Sequence, residues 1–519
     1  MEDGYLKLPR HTNQARGIGQ YAIDFLAGKL GQPAAAVMER TERFHLDSIA
    51  CAVAALATGC PAPRILRDEA LGYPDSHGVP VFGSRELVSP EKAVLANCSA
   101  VRELDANGTN FGYNPRTGYT RGEFGHNDFY PVAIAASQLS GASGKQALLG
   151  MICLDEIRGR LAECFGLKDH KIDHVLHGAI ASAAVYGAML GATAEQIESS
   201  IGLTVAHYVP FRAIRHGEQL SDSKGASAAI SAEVAVQSMR RAMRGFVGPA
   251  DIFRNPQAIF CLFEKPPERN CSPFDLELAT SGNDIAVMGM HFKLGLYEHQ
   301  SAGAIGGLFD LLAAHPNLLT NPDDIERIRI TIYEPAFSII GDPHKRDPRT
   351  RQSADHSMVY IVGTLLRKCQ ESGVSSQGSG DRGQKTGNRK AVELWRDLML
   401  VPADYDVAAL ANPLTRTFMD KIEFVHGGAE YDAKYPDGIP TTVEIDHRSL
   451  GRLSSGLVMY PEGHARNASG NLPALLAHKF HALAGLGVRD VEALLVRFTG
   501  LANKPAADLL SLYDFQIAR

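Results

Sequence analysis

The sequence predicts a mainly helical protein with a smaller α+β domain set into its second half. Three observations carry this. Ala-, Leu- and Met-rich stretches with apolar residues at helical spacing fill the first 284 residues, alternation of period two begins only beyond residue 285, and helical spacing returns near the end. The expected division is a helical domain over 1–284, an α+β domain over 285–455, and a return to the helical domain over 456–519.

In chain order, helices are predicted over 16–30, 33–59, 91–105, 144–165, 178–190, 194–205 and 223–244, separated by Gly or Pro. The last is the clearest. Ile230, Val234, Met239 and Met243 fall on or near one face, Ser221 or Ser223 can cap its start, and Gly245 with Pro249 stops it. Ala-dense helices of this kind pack closely, which suits an all-helical domain. Beyond residue 285, Ile328, Ile330 and Ile332 alternate with Arg329 and Thr331, the mark of a half-buried strand. Further strands are expected over 421–425 and over 441–445, the latter after the turn residues Tyr435-Pro436-Asp437-Gly438. Helices over 301–314 and 357–368 lie among them, and 472–484 and 490–499 follow. The run 373–389 is polar and rich in Gly and Ser, and is read as a mobile surface insertion.

With 519 residues and 45% hydrophobic content, the chain can bury a core larger than one domain needs. A formal net charge of −6 argues against a nucleic-acid partner, so an anionic ligand would be held by a few local cations. The eight cysteines are scattered with no CxxC pair, which suggests neither structural zinc nor an iron–sulfur cluster and fits a reducing compartment. The first residues lack an apolar signal core, and the apolar stretches near 48–58 and 179–193 are shorter than the ~18 residues of a membrane span. A soluble, cytoplasmic protein with no membrane partner is expected.

No GxGxxG, Walker A, HExxH, GxSxG or EF-hand pattern is present. Asp173, His174 and His177 come nearest to a metal site, but no further ligand accompanies them, and no metal is expected. The richest polar segment is 103–128, which leaves one helix at Leu104 and enters another at Pro131. There Asp105, Thr109, His126 and Asp128 can converge on a loop, although Asp and Asn also serve simply as helix caps. A second segment, 212–224, places Arg215, His216 and Lys224 beside a helix N-terminus, either as an anion site or as a solvated basic loop.

Several stretches in a fixed order resemble the MmgE/PrpD family, and within it the 2-methylcitrate dehydratase branch. They are KIDHVLHGAIASAAVYGAMLGAT, DSKGASAAISAEVAV with the following GFVGP, DPHKRDPRTRQSADHSMVYIV, YPEGHAR and LLSLYDF, and the similarity covers most of 20–515. The resemblance implies a large helical domain closed by a smaller α+β lid, with the active site in the cleft between them. It also implies a homodimer acting on a small polycarboxylate with no cofactor, metal or nucleotide.

On the family's motifs, the LDxxDT-type run falls on Leu104, Asp105 and Thr109, the Gly-His on Gly125 and His126, and the helix histidine on His174. The two lysines fall on Lys224 and Lys293. Three departures stand out: Gly108 replaces an acid, the stretch 113–123 lengthens the loop, and Asn127-Asp128 follows His126 in place of Pro-Ser-Asp.

Dehydrating a 2-hydroxy tricarboxylate requires a base at carbon, an acid at the leaving oxygen and cations on the carboxylates. The resemblance assigns Asp105 and His126 as the acid/base pair, with His174 as the second choice for proton transfer. Thr109 would bind substrate or orient Asp105, and Lys224, Lys293, Arg215 and Arg466 would hold carboxylates. Decarboxylation of cis-aconitate, epimerisation of a dicarboxylate, and a polycarboxylate-binding protein without turnover are the alternative expectations.

Overall fold

The computed structural model describes residues 4–518 apart from 111, 115, 117–120, 216–218, 342 and 373–389. The polar run expected to be a mobile insertion, and His216, therefore lie outside the described residues. The chain divides into two compact units, one comprising Met1–Arg215, Asp222–Met290 and Leu483–Arg519, the other His216–Ser221 and His291–Ala482. Residues 456–482, expected with the helical domain, fall in the second unit.

Among the described residues, the part of the first unit up to Met243 supplies the helices α1 (Gln14–Leu26), α2 (Ala35–Ala57), α3 (Pro61–Leu71), α4 (Pro90–Glu103), α5 (Tyr130–Ser140), α6 (Gly144–Cys164), α7 (Val175–Met189), α8 (Ala194–His207) and α9 (Asp222–Met243), and shorter helices follow at Ile259–Phe263, Val491–Phe498 and Ala506–Leu510. At its centre, α7 is buried at every position from Val175 to Gly187, as a helix that is apolar all round must be. Small residues make that possible. A side chain at Gly178 would come 2.3 Å from the Phe129 ring, and one at Gly187 would come 2.6 Å from the Met239 sulfur.

Against α4 and α7 lies α9, whose buried face is built mainly from Ala and Ser with Val236 and Met239. This corrects the expected face: Ile230 is 37% exposed on the other side of the helix. Close Ala–Ala packing, not large aliphatic side chains, decides which face turns inward. The start of α8 carries a capping box between Thr193 and Gln196.

This unit is not purely helical. Of four short strands, β1 (Tyr5–Leu8), β2 (Pro74–Pro80), β3 (Leu87–Val88) and β4 (Leu276–Ala279), β1 pairs with β4 and β2 with β3 in two antiparallel ribbons. Among the described residues, no single helix is long and apolar enough to cross a membrane.

The second unit holds a four-stranded mixed sheet in the order β6-β5-β7-β8, from β5 (Ile325–Ile332), β6 (Ile422–His426), β7 (Thr441–His447) and β8 (Gly451–Val458). The isoleucines of β5 set the register. Ile328 and Ile330 lie opposite Ile445 and Val443 on antiparallel β7, and opposite Ile422 and Phe424 on parallel β6. The helix Ala302–Ala314 packs on β7 and β8. A side chain at Gly303 would come 2.3 Å from Thr441 Oγ1, so this helix lies almost backbone to sheet.

Candidate active site

Six of the eight expected site residues belong to the first unit. The polar segment runs from the end of α4 to the start of α5, as the sequence reading placed it. Its first candidate side chain, Asp105, is 1% exposed and accepts a hydrogen bond from Arg102 Nη1 at 2.6 Å. Lys224, in the first turn of α9 and equally buried, places Nζ 3.9 Å from the other Asp105 oxygen. The close approach of α9 to α4 depends on Gly225, where a side chain would meet the Glu103 carboxylate at 2.4 Å.

His126 lies at the far end of the same segment. Its Nδ1 stands 2.6 Å from the Gly108 carbonyl oxygen. A carbonyl only accepts, so Nδ1 carries the hydrogen and the neutral ring presents Nε2 as the basic nitrogen. Gly108, where the family pattern has an acid, thus fixes the tautomer of His126 through its backbone. The following residue locks this geometry. Asn127 Oδ1 accepts from the Gly108 amide at 2.6 Å, while Nδ2 donates to the Phe44 carbonyl at 2.7 Å and to Ser48 Oγ at 2.8 Å on α2. Thr109, between these anchors, is 5% exposed.

His174 precedes α7, and its ring lies 5.9 Å from that of His126, edge to face. Gly125 makes room for it. The backbone there has φ +89°, and a side chain would stand 2.5 Å from His174 Nε2. Around Nδ1 of His174 are Asp173 at 3.6 Å and Glu123 at 3.9 Å. Burial lowers the pKa of His174; the two carboxylates oppose that shift and Arg215 adds to it, so the ring is held toward the neutral form. Burial alone would raise Asp173, but the guanidinium of Arg215 outweighs it and holds the carboxyl well below its usual range. Glu123 is likewise lowered against burial, by Lys168, His174, Arg212 and Arg215.

Arg215 grips Asp173 through both Nε and Nη2, which occupies the fork expected to hold a substrate carboxylate. His177, one turn along α7, belongs to the core. Neither ring nitrogen has a hydrogen-bond partner, and burial pushes its pKa down to about 3.

The remaining two expected residues lie in the second unit. Lys293 is 1% exposed. Arg466 is paired with Asp437 and lies over the Tyr460 ring at 5.0 Å. Near them in sequence, His291 stacks on His464 at 4.1 Å, and each accepts a backbone N–H at Nδ1, from Ala465 and Arg466 respectively.

Sequence reasoning missed Arg102, Arg158 and Asp155, which are buried beside the segment. Their signal was available: Asp155 and Arg158 stand three apart and, with Glu156 and Arg160, interrupt an apolar stretch of α6 running from Leu148 to Leu161, where an unpaired charge would be unstable.

Comparison with known proteins bears on this arrangement. Residues 21–271 match the MmgE/PrpD N-terminal domain and residues 298–374 match the MmgE/PrpD C-terminal domain. A 2-methylcitrate dehydratase of Escherichia coli O157:H7 is 25% identical over 433 residues, covering 78% of this chain and 84% of that protein. A 2-methylcitrate dehydratase of Salmonella typhi is 23% identical over 490 residues, covering 90% and 91%. A probable 2-methylcitrate dehydratase of Saccharomyces cerevisiae is 23% identical over 459 residues, covering 84% and 79%. The two domain matches follow one another in the order of the chain, and the relatives span most of it: this protein belongs to the MmgE/PrpD family.

Proposed function

We propose that this protein is a hydro-lyase that dehydrates a 2-hydroxy tricarboxylate of the 2-methylcitrate type by acid/base chemistry of its own side chains. The observation that carries the reading is the pair of histidines at 5.9 Å, one of them tautomer-fixed by the Gly108 carbonyl. Elimination needs a base that accepts a proton from carbon and a group that protonates the departing hydroxyl. In this reading Asp105, ionised, takes the proton from carbon and His126, once protonated at Nε2, gives one to the departing hydroxyl so that water leaves; His174, held toward neutrality, is the second proton-transfer group. Lys224 draws a substrate carboxylate to the Asp105 side. Lys293 is proposed as a further carboxylate-holding cation on the strength of the family motif. Arg215 and Arg466 are engaged with Asp173 and Asp437, which favours a structural role for both.

The test is an ultraviolet assay for a new conjugated double bond with 2-methylcitrate and with citrate, run in EDTA. Turnover is expected. His126→Ala or Asp105→Asn should reduce it by about 10²-fold or more while the protein stays folded. Lys224→Ala should act chiefly on KM. Near wild-type rates in both of the first two variants would overturn the assignment. Carbon dioxide release from cis-aconitate, with no double-bond signal from either hydroxy acid, would replace dehydration by decarboxylation.

A further inference from the structure

Behind Asp105 runs a row of buried charges of alternating sign. Lys224 faces Asp105 at 3.9 Å, and Asp105 accepts from Arg102 at 2.6 Å. The Nε of Arg102 then faces Asp128 Oδ2 at 3.7 Å, and Asp128 Oδ1 faces Arg158 Nη1 at 3.7 Å. Arg158 donates to Asp155 through Nε at 2.9 Å and Nη2 at 2.5 Å, and Tyr130 donates to the second Asp155 oxygen at 2.6 Å. Every charged side chain in the row is at most 2% exposed. Three cations and three anions alternate, so the row is neutral as a whole, the condition under which buried charges are tolerated.

The central member differs from the rest. Asp128 stands 3.7 Å from each guanidinium, too far for a hydrogen bond, and Arg102 Nε, Asp128 Oδ1 and Arg158 Nη1 are all buried without hydrogen-bond partners. Its hold on the two arginines is therefore Coulombic and centred between them. Those arginines anchor different parts of the segment. Arg102 holds Asp105 at the near end. The Arg158 guanidinium lies 5.3 Å from the Phe124 ring and 5.5 Å from the Phe129 ring, the two aromatics that bracket His126 in the chain.

We propose that Asp128 is a positioning residue that joins the two ends of the candidate site, using its charge to tie the arginine that holds Asp105 to the arginine that holds the segment carrying His126. The catalytic part of this inference rests on the proposed acid/base roles of Asp105 and His126; the coupling itself does not. With Asp128 neutralised, Arg102 would lean wholly on Asp105 and Arg158 wholly on Asp155, and the two guanidinium groups would repel across the gap.

Asp128→Asn keeps the shape and removes the charge, whereas Asp128→Glu keeps the charge and adds a methylene where both contacts are long. A core-filling role predicts that Asn is tolerated and Glu is not. Positioning by charge predicts the reverse. With 2-methylcitrate, Asp128→Asn should lower kcat by ~10-fold or more at nearly unchanged KM, as loss of alignment does, and Asp128→Glu should recover most of it. Wild-type kcat in a folded Asp128→Asn variant would overturn the proposal. Should that variant fail to fold, Asp128→Glu decides alone: a kcat near wild type supports positioning by charge, and a fall of ~10-fold or more overturns it.

A second measurement needs no turnover. In a thermal-unfolding cycle of Asp105→Asn, Asp128→Asn and the double variant, the bridge through Arg102 predicts non-additive losses. Additive losses refute the coupling. Non-additive losses in a wild type inactive on both acids would retain the coupling and reject the reaction.

Discussion

Gly125 offers the sharpest perturbation of the candidate site. An alanine there would bring a methyl carbon to 2.5 Å from Nε2 and 2.7 Å from Cδ2 of His174. Non-bonded atoms settle near ~3.5 Å, so the ring or the loop must give by about 1 Å. The backbone φ of +89° adds left-handed strain of about 1–2 kcal/mol for a residue with a Cβ. A displacement of that size in a proton-transfer group costs on the order of 10²-fold in rate.

Gly141 separates the two effects. Its φ is +67° and nothing lies within 4 Å of an added Cβ, so Gly141→Ala carries the strain without the collision. Steady-state double-bond formation and thermal unfolding would be measured on both variants. Both should lose stability through the strain, Gly125→Ala roughly 1–3 kcal/mol more through the collision, and only Gly125→Ala should lose turnover by about two orders of magnitude. A folded Gly125→Ala protein with wild-type turnover, or an equal loss in Gly141→Ala, would refute the role given to His174.

Three further predictions concern burial and charge. His45 and His177 have pKa values pushed by burial from 6.5 to about 3, so the folded state holds fewer protons than the unfolded one between those limits. Their stabilisation is complete above pH 6.5 and is lost as pH falls toward 3, by about 2 kcal/mol each at pH 5; denaturant unfolding at pH 7 and pH 5 would measure it, and His45→Phe should remove one share. Gly178→Ala drives a methyl against the Phe129 ring and should destabilise by roughly 1–3 kcal/mol; unchanged unfolding would show that α7 can shift. Arg215→Met leaves Asp173 buried without its fork and should destabilise by about 3–5 kcal/mol; a large rise in KM with unaltered stability would instead return Arg215 to the substrate.

The longer helices were legible because long apolar repeats leave little choice of period. The helices expected over 144–165 and 472–484 end within one residue of those observed, Gly144–Cys164 and Leu472–Ala484. The strand at Ile325–Ile332 was legible from its alternation, with Ile328, Ile330 and Ile332 buried at every second position. By contrast, β8 is an edge strand whose residues are largely exposed, so selection for burial left no alternation to read. The ribbon of β1 and β4 joins residues more than 260 apart, and no local pattern encodes that pairing.

Of the candidate site, the polar loop between α4 and α5 could be placed because polar residues there interrupt apolar helices. What sets its geometry could not. The tautomer of His126 comes from a backbone carbonyl, and Arg158 sits in a helix whose spacing gives no hint of the aromatic rings around it.

The Asn127 clip has a thermodynamic consequence. Both amide hydrogens and the amide oxygen of one side chain are committed, to α2 on one side and to Gly108 on the other. An aspartate could not donate there, and a glutamine would be too long. The peptide around Gly108 and the ring of His126 are therefore ordered before any ligand arrives. Binding at that end of the segment would forfeit little chain freedom. Calorimetry should then register an anion docking there with a heat-capacity change no larger than the surface it covers, without the added increment that accompanies a loop folding around its ligand.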